Sequence, residues 1–193
     1  MNVVDLGDLF WWGIRNRDAV GTMESGAVFS KDPDKTYRYA LWRDLDPLWE
    51  KPPLVVIGLN PSTADENQDD PTIRRCRGFA KRWGHAGLIM LNLYAVRSTD
   101  PKPVFQMGMY AAVGPENNDV VIQVAKQVHE AGGRVLAAWG AFHEAGGRAL
   151  DVRLWLKGAG VPLYVLGFTK DGRPRHPLYM KADVDPVRWE APC

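Results

Sequence analysis

The chain has 193 residues, 46% hydrophobic and 24% charged, which suits one globular domain with a substantial core and excludes a fibrous or disordered protein. Its 24 basic and 23 acidic residues leave a net charge of +1, so no global field draws it onto nucleic acid or an anionic membrane, and such binding needs a local patch. Two cysteines, Cys76 and Cys193, exclude a disulfide framework or a four-cysteine metal site, and the absence of a basic leader or an apolar run near the roughly 20 residues that span a bilayer points to a cytoplasmic protein.

Residues 1–26, with Phe10, Trp11 and Trp12 among charged residues, show no period that predicts an element. Ala27–Ser30 and Tyr37–Trp42 flank the turn-forming Lys31-Asp32-Pro33-Asp34 and predict a hairpin laid on a sheet edge. From Pro53 the pattern changes to short apolar runs alternating with helical periods. Leu54–Gly58 reads as a buried strand. Asp70 and Pro71 supply an N-cap and an N1 proline for a helix running to about Trp83. Gly87–Ala95 is the second strand. Val120, Val121, Val124 and Val128 sit at helical spacing within Pro115–Ala131, and Gly132-Gly133 ends that helix. Arg134–Trp139 is the third strand, Ala145–Lys157 a helix and Leu163–Phe168 the fourth strand. This order predicts an α/β fold of three layers around a central, mostly parallel, four-stranded sheet with right-handed crossovers. Residues 1–36 are the N-terminal extension and hairpin start, and 37–193 a single α/β base-binding domain.

In such sheets ligands bind beyond the carboxyl ends of the strands, where strand order reverses. There the chain carries Gly58-Leu59-Asn60-Pro61-Ser62, Asn92-Leu93-Tyr94 through Arg97, Trp139-Gly140, and Arg175-His176-Pro177. Gly58 lets a ligand approach the backbone, and the Asn60 amide can donate and accept, although Asn-Pro-Ser is also a plain turn. Asn92 lies within an apolar strand and needs a partner there, either a ligand or a neighbouring loop. His176, among basic residues, could donate to an oxygen that gains negative charge. His85, His129 and His143 lack such company and read as structural or surface residues. Two basic clusters, one around Arg74, Arg75 and Arg77 and one around Arg173 and Arg175, are either solvated faces or phosphate contacts. The acidic stretch 65–70 fits helix capping better than a metal site, and leaves Asp65 or Asp69 as a reserve general base. No cofactor and no metal ion is expected.

The four motifs, in order, resemble the uracil-DNA glycosylase superfamily. Within that frame LNPSTAD, DDPTIRR, NLYAVRSTDP and GRPRHPLYM, over about residues 37 to 180, resemble an uncharacterised bacterial and phage family named only as a domain of unknown function. The superfamily resemblance implies a glycosylase-like fold and hydrolysis of the N-glycosidic bond of a modified or mismatched pyrimidine in DNA, as in DNA repair or modification. It makes Asn60 the residue that orients water and His176 the one that stabilises the departing base. Asn92 then reads the pyrimidine edge, Tyr94 or Trp139 stacks on the base, and Arg173 and Arg175 hold flanking phosphates, with Gly58 a further candidate base contact and Ser62, Arg74 and Arg97 further candidate phosphate contacts. The chain departs from that pattern in lacking an aspartate in the first motif and in carrying Leu178-Tyr179-Met180 after His176-Pro177. The expected partner is nucleic acid, DNA in preference to RNA, or a nucleotide, with no membrane; oligomeric state is not encoded legibly. The alternatives are a non-catalytic module that recognises a base, or an enzyme acting on free nucleosides or nucleotides.

Overall fold

The computed structural model describes residues 25–46, 51–65 and 67–190, so the extension with Phe10, Trp11 and Trp12 lies outside the described residues. The strands are β1 (Gly26–Phe29), β2 (Arg38–Asp44), β3 (Leu54–Gly58), β4 (Gly87–Asn92), β5 (Arg134–Ala137), β6 (Leu163–Val165) and β7 (Val187–Arg188). They form one seven-stranded sheet in the order β1-β2-β4-β3-β5-β6-β7. The sheet is therefore larger than the four strands expected, and it is mixed. The four predicted strands are its parallel centre, while β2 pairs antiparallel with β4 and β7 antiparallel with β6.

The predicted hairpin is β1 and β2, and it adds to the β4 edge of the parallel centre. β2 is an inner strand, with Leu41 opposite Met90 and Trp42 opposite Ile89. Its side chains are apolar towards both layers, Ala40 and Trp42 on one side and Leu41 on the other, so only a strand covered on both faces satisfies them. β1 then takes the edge. β7 escapes sequence reading because two residues carry no period.

Helix α1 (Pro71–Arg82) starts where the sequence predicts: Asp70 accepts a hydrogen bond from the Ile73 N–H at 2.8 Å, Pro71 occupies the first turn, and Lys81 and Arg82 in the last turn suit the helix dipole. It buries Ile73, Cys76, Phe79 and Ala80 against Leu54, Val56, Leu88, Met90 and Leu136. Two short helices, α2 (Pro101–Gln106) and α3 (Met109–Val113), cross from β4 to α4 (Asn117–Glu130). Together α4 and α5 (Gly146–Gly158) cover the opposite face, packing Val120, Val124, Val152 and Leu156 on Val55, Ile57, Leu91 and Val135. Strict alternation along β3 and β4 thus divides the core into two layers. Each fully buried aliphatic or aromatic side chain contributes about 1.5 to 3 kcal/mol, so this division decides which face every strand residue presents. No helix among the described residues is long and apolar enough to cross a membrane.

Candidate functional site

From β3 the chain goes to β4 on one side and then to β5 on the other, so the loops leaving β3 and β5 diverge and open a crevice between them. Gly58 ends β3 and stands in register with Asn92 at the end of β4. Leu54 and Val56, like Leu88 and Met90, face α1, and alternation puts Gly58 and Asn92 on that face too. A Cβ on Gly58 would come within 2.9 Å of Asn92 Oδ1, so the asparagine amide lies over this position only because it is glycine. Asn92 is 3% exposed, and its Nδ2 has no hydrogen-bond partner. An orphaned buried donor costs about 1 to 3 kcal/mol, which makes this amide a candidate ligand contact at the end of β4.

The opposite layer braces the same strand end. Asn117, fully buried at the start of α4, donates from Nδ2 to the carbonyls of Asn92 and Leu93, both at 3.1 Å, and Arg148 Nε donates to the Leu93 carbonyl at 2.8 Å. Sequence reasoning missed both residues, since polar residues near a helix start read as solvent-facing.

On the β5 side, Gly140 has φ +84°, and a Cβ there would meet His176 Cβ at 3.5 Å, so the histidine loop sits directly on the strand exit. His176 caps a 3-10 turn over Pro177–Tyr179, with the Leu178 N–H donating to its Nδ1 at 3.4 Å. With Nδ1 accepting, a neutral imidazole carries its proton on Nε2. Burial holds this ring below the ordinary histidine value, and the Asp70 carboxylate works in the opposite direction. Asp70, predicted only as a helix cap, is thus also the carboxylate whose field reaches His176.

Asn60 locks the loop after β3 to the loop after β4. Its Nδ2 donates to the carbonyls of Pro61 at 3.0 Å and Ser98 at 2.8 Å, and the Ser98 N–H returns a bond to the Pro61 carbonyl at 2.8 Å. The amide oxygen is left as the acceptor. Ser62 follows, half-buried.

The acidic loop is held by buried arginines that the sequence did not mark. Arg38, 2% exposed, donates to the Ala64 carbonyl at 2.6 Å, and Arg43 Nε pairs with Asp69 at 2.6 Å. Burial works to raise the Asp69 carboxyl, but hydrogen bonds and charge from Arg77 and Arg43 outweigh it and hold it low. Asp65 is held low by the N–H groups of Asn67 and Gln68. Both reserve bases are thus engaged as ionised structural groups.

Other predicted residues lie apart from the crevice. Trp139, 3% exposed, is in the layer opposite α1, 5.9 Å from Trp189, and Tyr94 meets Phe105 edge-on at 6.1 Å. Neither ring reaches the Asn92 face. Arg97 lies over Phe29 at 5.1 Å beside the hairpin. Arg173 donates to the Ala141 carbonyl at 3.2 Å, tying its loop to the one after β5, and Arg175 to the Phe168 carbonyl at 3.0 Å, bracing its own loop. Arg74 donates to the Asp69 carbonyl, and Arg75 to that of Met180, which draws the two basic clusters together. Among the described residues no group of three or more His, Cys, Asp or Glu could hold a metal ion. Away from the crevice, a groove of about 710 Å³ between α5 and β7 runs into a smaller one of about 110 Å³ beside Trp139.

A family model described as protein of unknown function (DUF1643) matches residues 38–178, most of the chain, so the chain belongs to that family. No curated protein and no solved structure matches it. The matched stretch begins at the first residue of β2 and ends just after His176, enclosing Gly58, Asn60, Asn92 and Gly140.

Proposed function

We propose that this DUF1643 protein binds a nucleobase in the crevice between β3 and β5 and hydrolyses the bond joining that base to its sugar in DNA. The observation that carries the reading is the buried, unpartnered amide of Asn92 over Gly58. A pyrimidine edge alternates donors and acceptors, and a carboxamide with one of each complements it. Neighbouring strands lie about 4.8 Å apart, so β4 to β5 across Gly58 is roughly 10 Å, the room one ring needs between Asn92 and the loop of His176.

In this reading the C–N bond breaks with its electron pair going to the base. The Nε2–H of a neutral His176 donates to the base oxygen on which negative charge grows, and a water held by Asn60 Oδ1 adds to the sugar carbon, its proton passing to the departing base. An amide is no base, so rate enhancement comes from positioning and from electrostatic stabilisation of a largely dissociated transition state. The likeness of the motif order to the uracil-DNA glycosylase superfamily supports this assignment of roles.

The test is incubation with labelled single- and double-stranded oligonucleotides carrying uracil, thymine mismatches or hydroxymethylated pyrimidines, followed by alkaline cleavage of abasic sites. Cleavage by the wild type that Asn60→Ala and His176→Ala both lose supports the proposal; no abasic site on any substrate refutes it. A second reading, recognition of a free nucleoside or nucleotide, is favoured by one observation: Arg75, Arg173 and Arg175 already donate to backbone carbonyls, which weakens their case as phosphate contacts.

A further inference from the structure

The larger groove lies on the side of α5 away from α4, where Arg153 and Lys157 face Arg188, Trp189 and Glu190 of the β7 edge. Its charges are one-sided. Arg153, Lys157 and Arg188 make no ion pair among the described residues, and Glu190 is the one carboxylate on the lining. On a chain of net charge +1 this is a local concentration of positive charge of the kind that composition alone cannot reveal. The Arg153 guanidinium lies 4.0 Å from the centre of the Trp189 ring. Behind Trp189 stand Trp139 at 5.9 Å, tilted by 45°, and Phe168 at 5.5 Å, edge-on at 66°, so the indole is the front of an aromatic cluster. Burial alone shifts Arg153 below the ordinary arginine value, with no carboxylate to offset it. Leu150 and Leu154, one helical turn apart and 49% and 55% exposed, carry the apolar wall along α5.

We propose that this groove binds a single strand of nucleic acid, its phosphates meeting Arg153, Lys157 and Arg188 and its bases lying on the apolar wall and against the Arg153–Trp189 pair. Unpaired cations beside a rigid aromatic floor are what a single strand requires, because it presents both repeating phosphates and uncovered base faces. A duplex hides its base faces inside the stack and would touch only the charged rim, leaving Leu150, Leu154 and Trp189 without a partner. The groove faces the opposite layer from Asn92 and includes residues beyond the matched family stretch, so it is a surface separate from the crevice and does not depend on chemistry there.

The experiment is fluorescence anisotropy of a labelled oligothymidylate of about 12 nucleotides, within the range of site sizes known for strand-binding grooves, titrated with the full chain. The Arg153→Glu/Arg188→Glu variant is expected to bind at least about tenfold more weakly, and the slope of log affinity against log salt to shrink by about 1.4, for two phosphate contacts at about 0.7 each. Lys157→Glu, at an exposed position, should show the same sense of change with an unaltered melting temperature, which separates binding from folding. No binding by the wild type, equal binding by the variants, tighter binding of the matching duplex, or equal binding of polyglutamate would each overturn the proposal. Strand binding is read without any cleavage, so it can stand where abasic sites fail to form, and fail where they form.

Discussion

Replacing Asp69 by alanine tests how the loop beside the crevice is held. Arg43 and Asp69 have side chains only 5% and 13% exposed, joined at 2.6 Å, and the second Asp69 oxygen accepts from Arg77 at 2.7 Å. Breaking a buried pair by removing one partner costs about 3 to 5 kcal/mol, because the remaining charge stays desolvated. The Arg43 guanidinium keeps the carbonyls of Trp42, Asp65 and Gln68, which puts Asp69→Ala near the lower end, about 3 kcal/mol. Arg77, 43% exposed, adds less than about 1 kcal/mol. In a domain of this size the loss corresponds to a fall in melting temperature of roughly 6 to 12 °C. Equilibrium urea unfolding followed by circular dichroism measures it. A loss below about 1 kcal/mol would refute the reasoning. Because the folded-state carboxyl is held low, the pair's contribution is present above the unfolded aspartate value near 3.9 and is lost as pH falls through the lower folded value.

Gly58→Ala puts a methyl group 2.9 Å from Asn92 Oδ1; it should cost about 1 to 3 kcal/mol in urea unfolding, and unchanged stability would contradict the close approach. Asn117→Ala removes two 3.1 Å bonds and orphans the Asn92 carbonyl, while Arg148 still serves Leu93, so thermal melting should report a loss of about 1 to 3 kcal/mol. His85 Nδ1 donates to the Pro52 carbonyl at 3.0 Å, its Nε2 is buried without a partner, and burial lowers its pKa. The unfolded ring therefore takes up protons first, so stability should decline as pH falls from about 6.5, and His85→Gln should flatten that decline in melting temperature.

The parallel centre of the sheet was legible because each strand is a short apolar run bounded by turn residues, and α1 because Asp70 and Pro71 announce it. Strand ends were not. Leu93, Tyr94 and Ala95 continue the apolar run of β4, yet pairing with β3 stops at Asn92, since β3 itself ends at Gly58. Likewise Trp139 prolongs β5 in the sequence but leaves the ladder after Ala137. Asn92 and His176 could be singled out locally, one as an amide in an apolar run and the other by its basic company. The supports around them could not. Arg38, Arg43, Asn117 and Arg148 are buried by contacts with segments more than 20 residues away, and nothing in their neighbours along the chain distinguishes them from surface charge. The groove is illegible for the same reason, being assembled from α5 and a two-residue strand about 30 positions later.

The strand order also sets a schedule for synthesis. β2 is made before β3 but pairs with β4, so Leu41 and Trp42 must wait for roughly 50 further residues, some 2 to 10 seconds at ribosomal rates of about 5 to 20 residues per second. β3 gains its second neighbour only when Arg134–Ala137 emerges. Through that interval the nascent chain carries an apolar strand with an open edge, the surface on which other chains pair. Truncations that end between β4 and β5 should therefore accumulate as insoluble material, whereas chains that extend through β7 have every central strand enclosed.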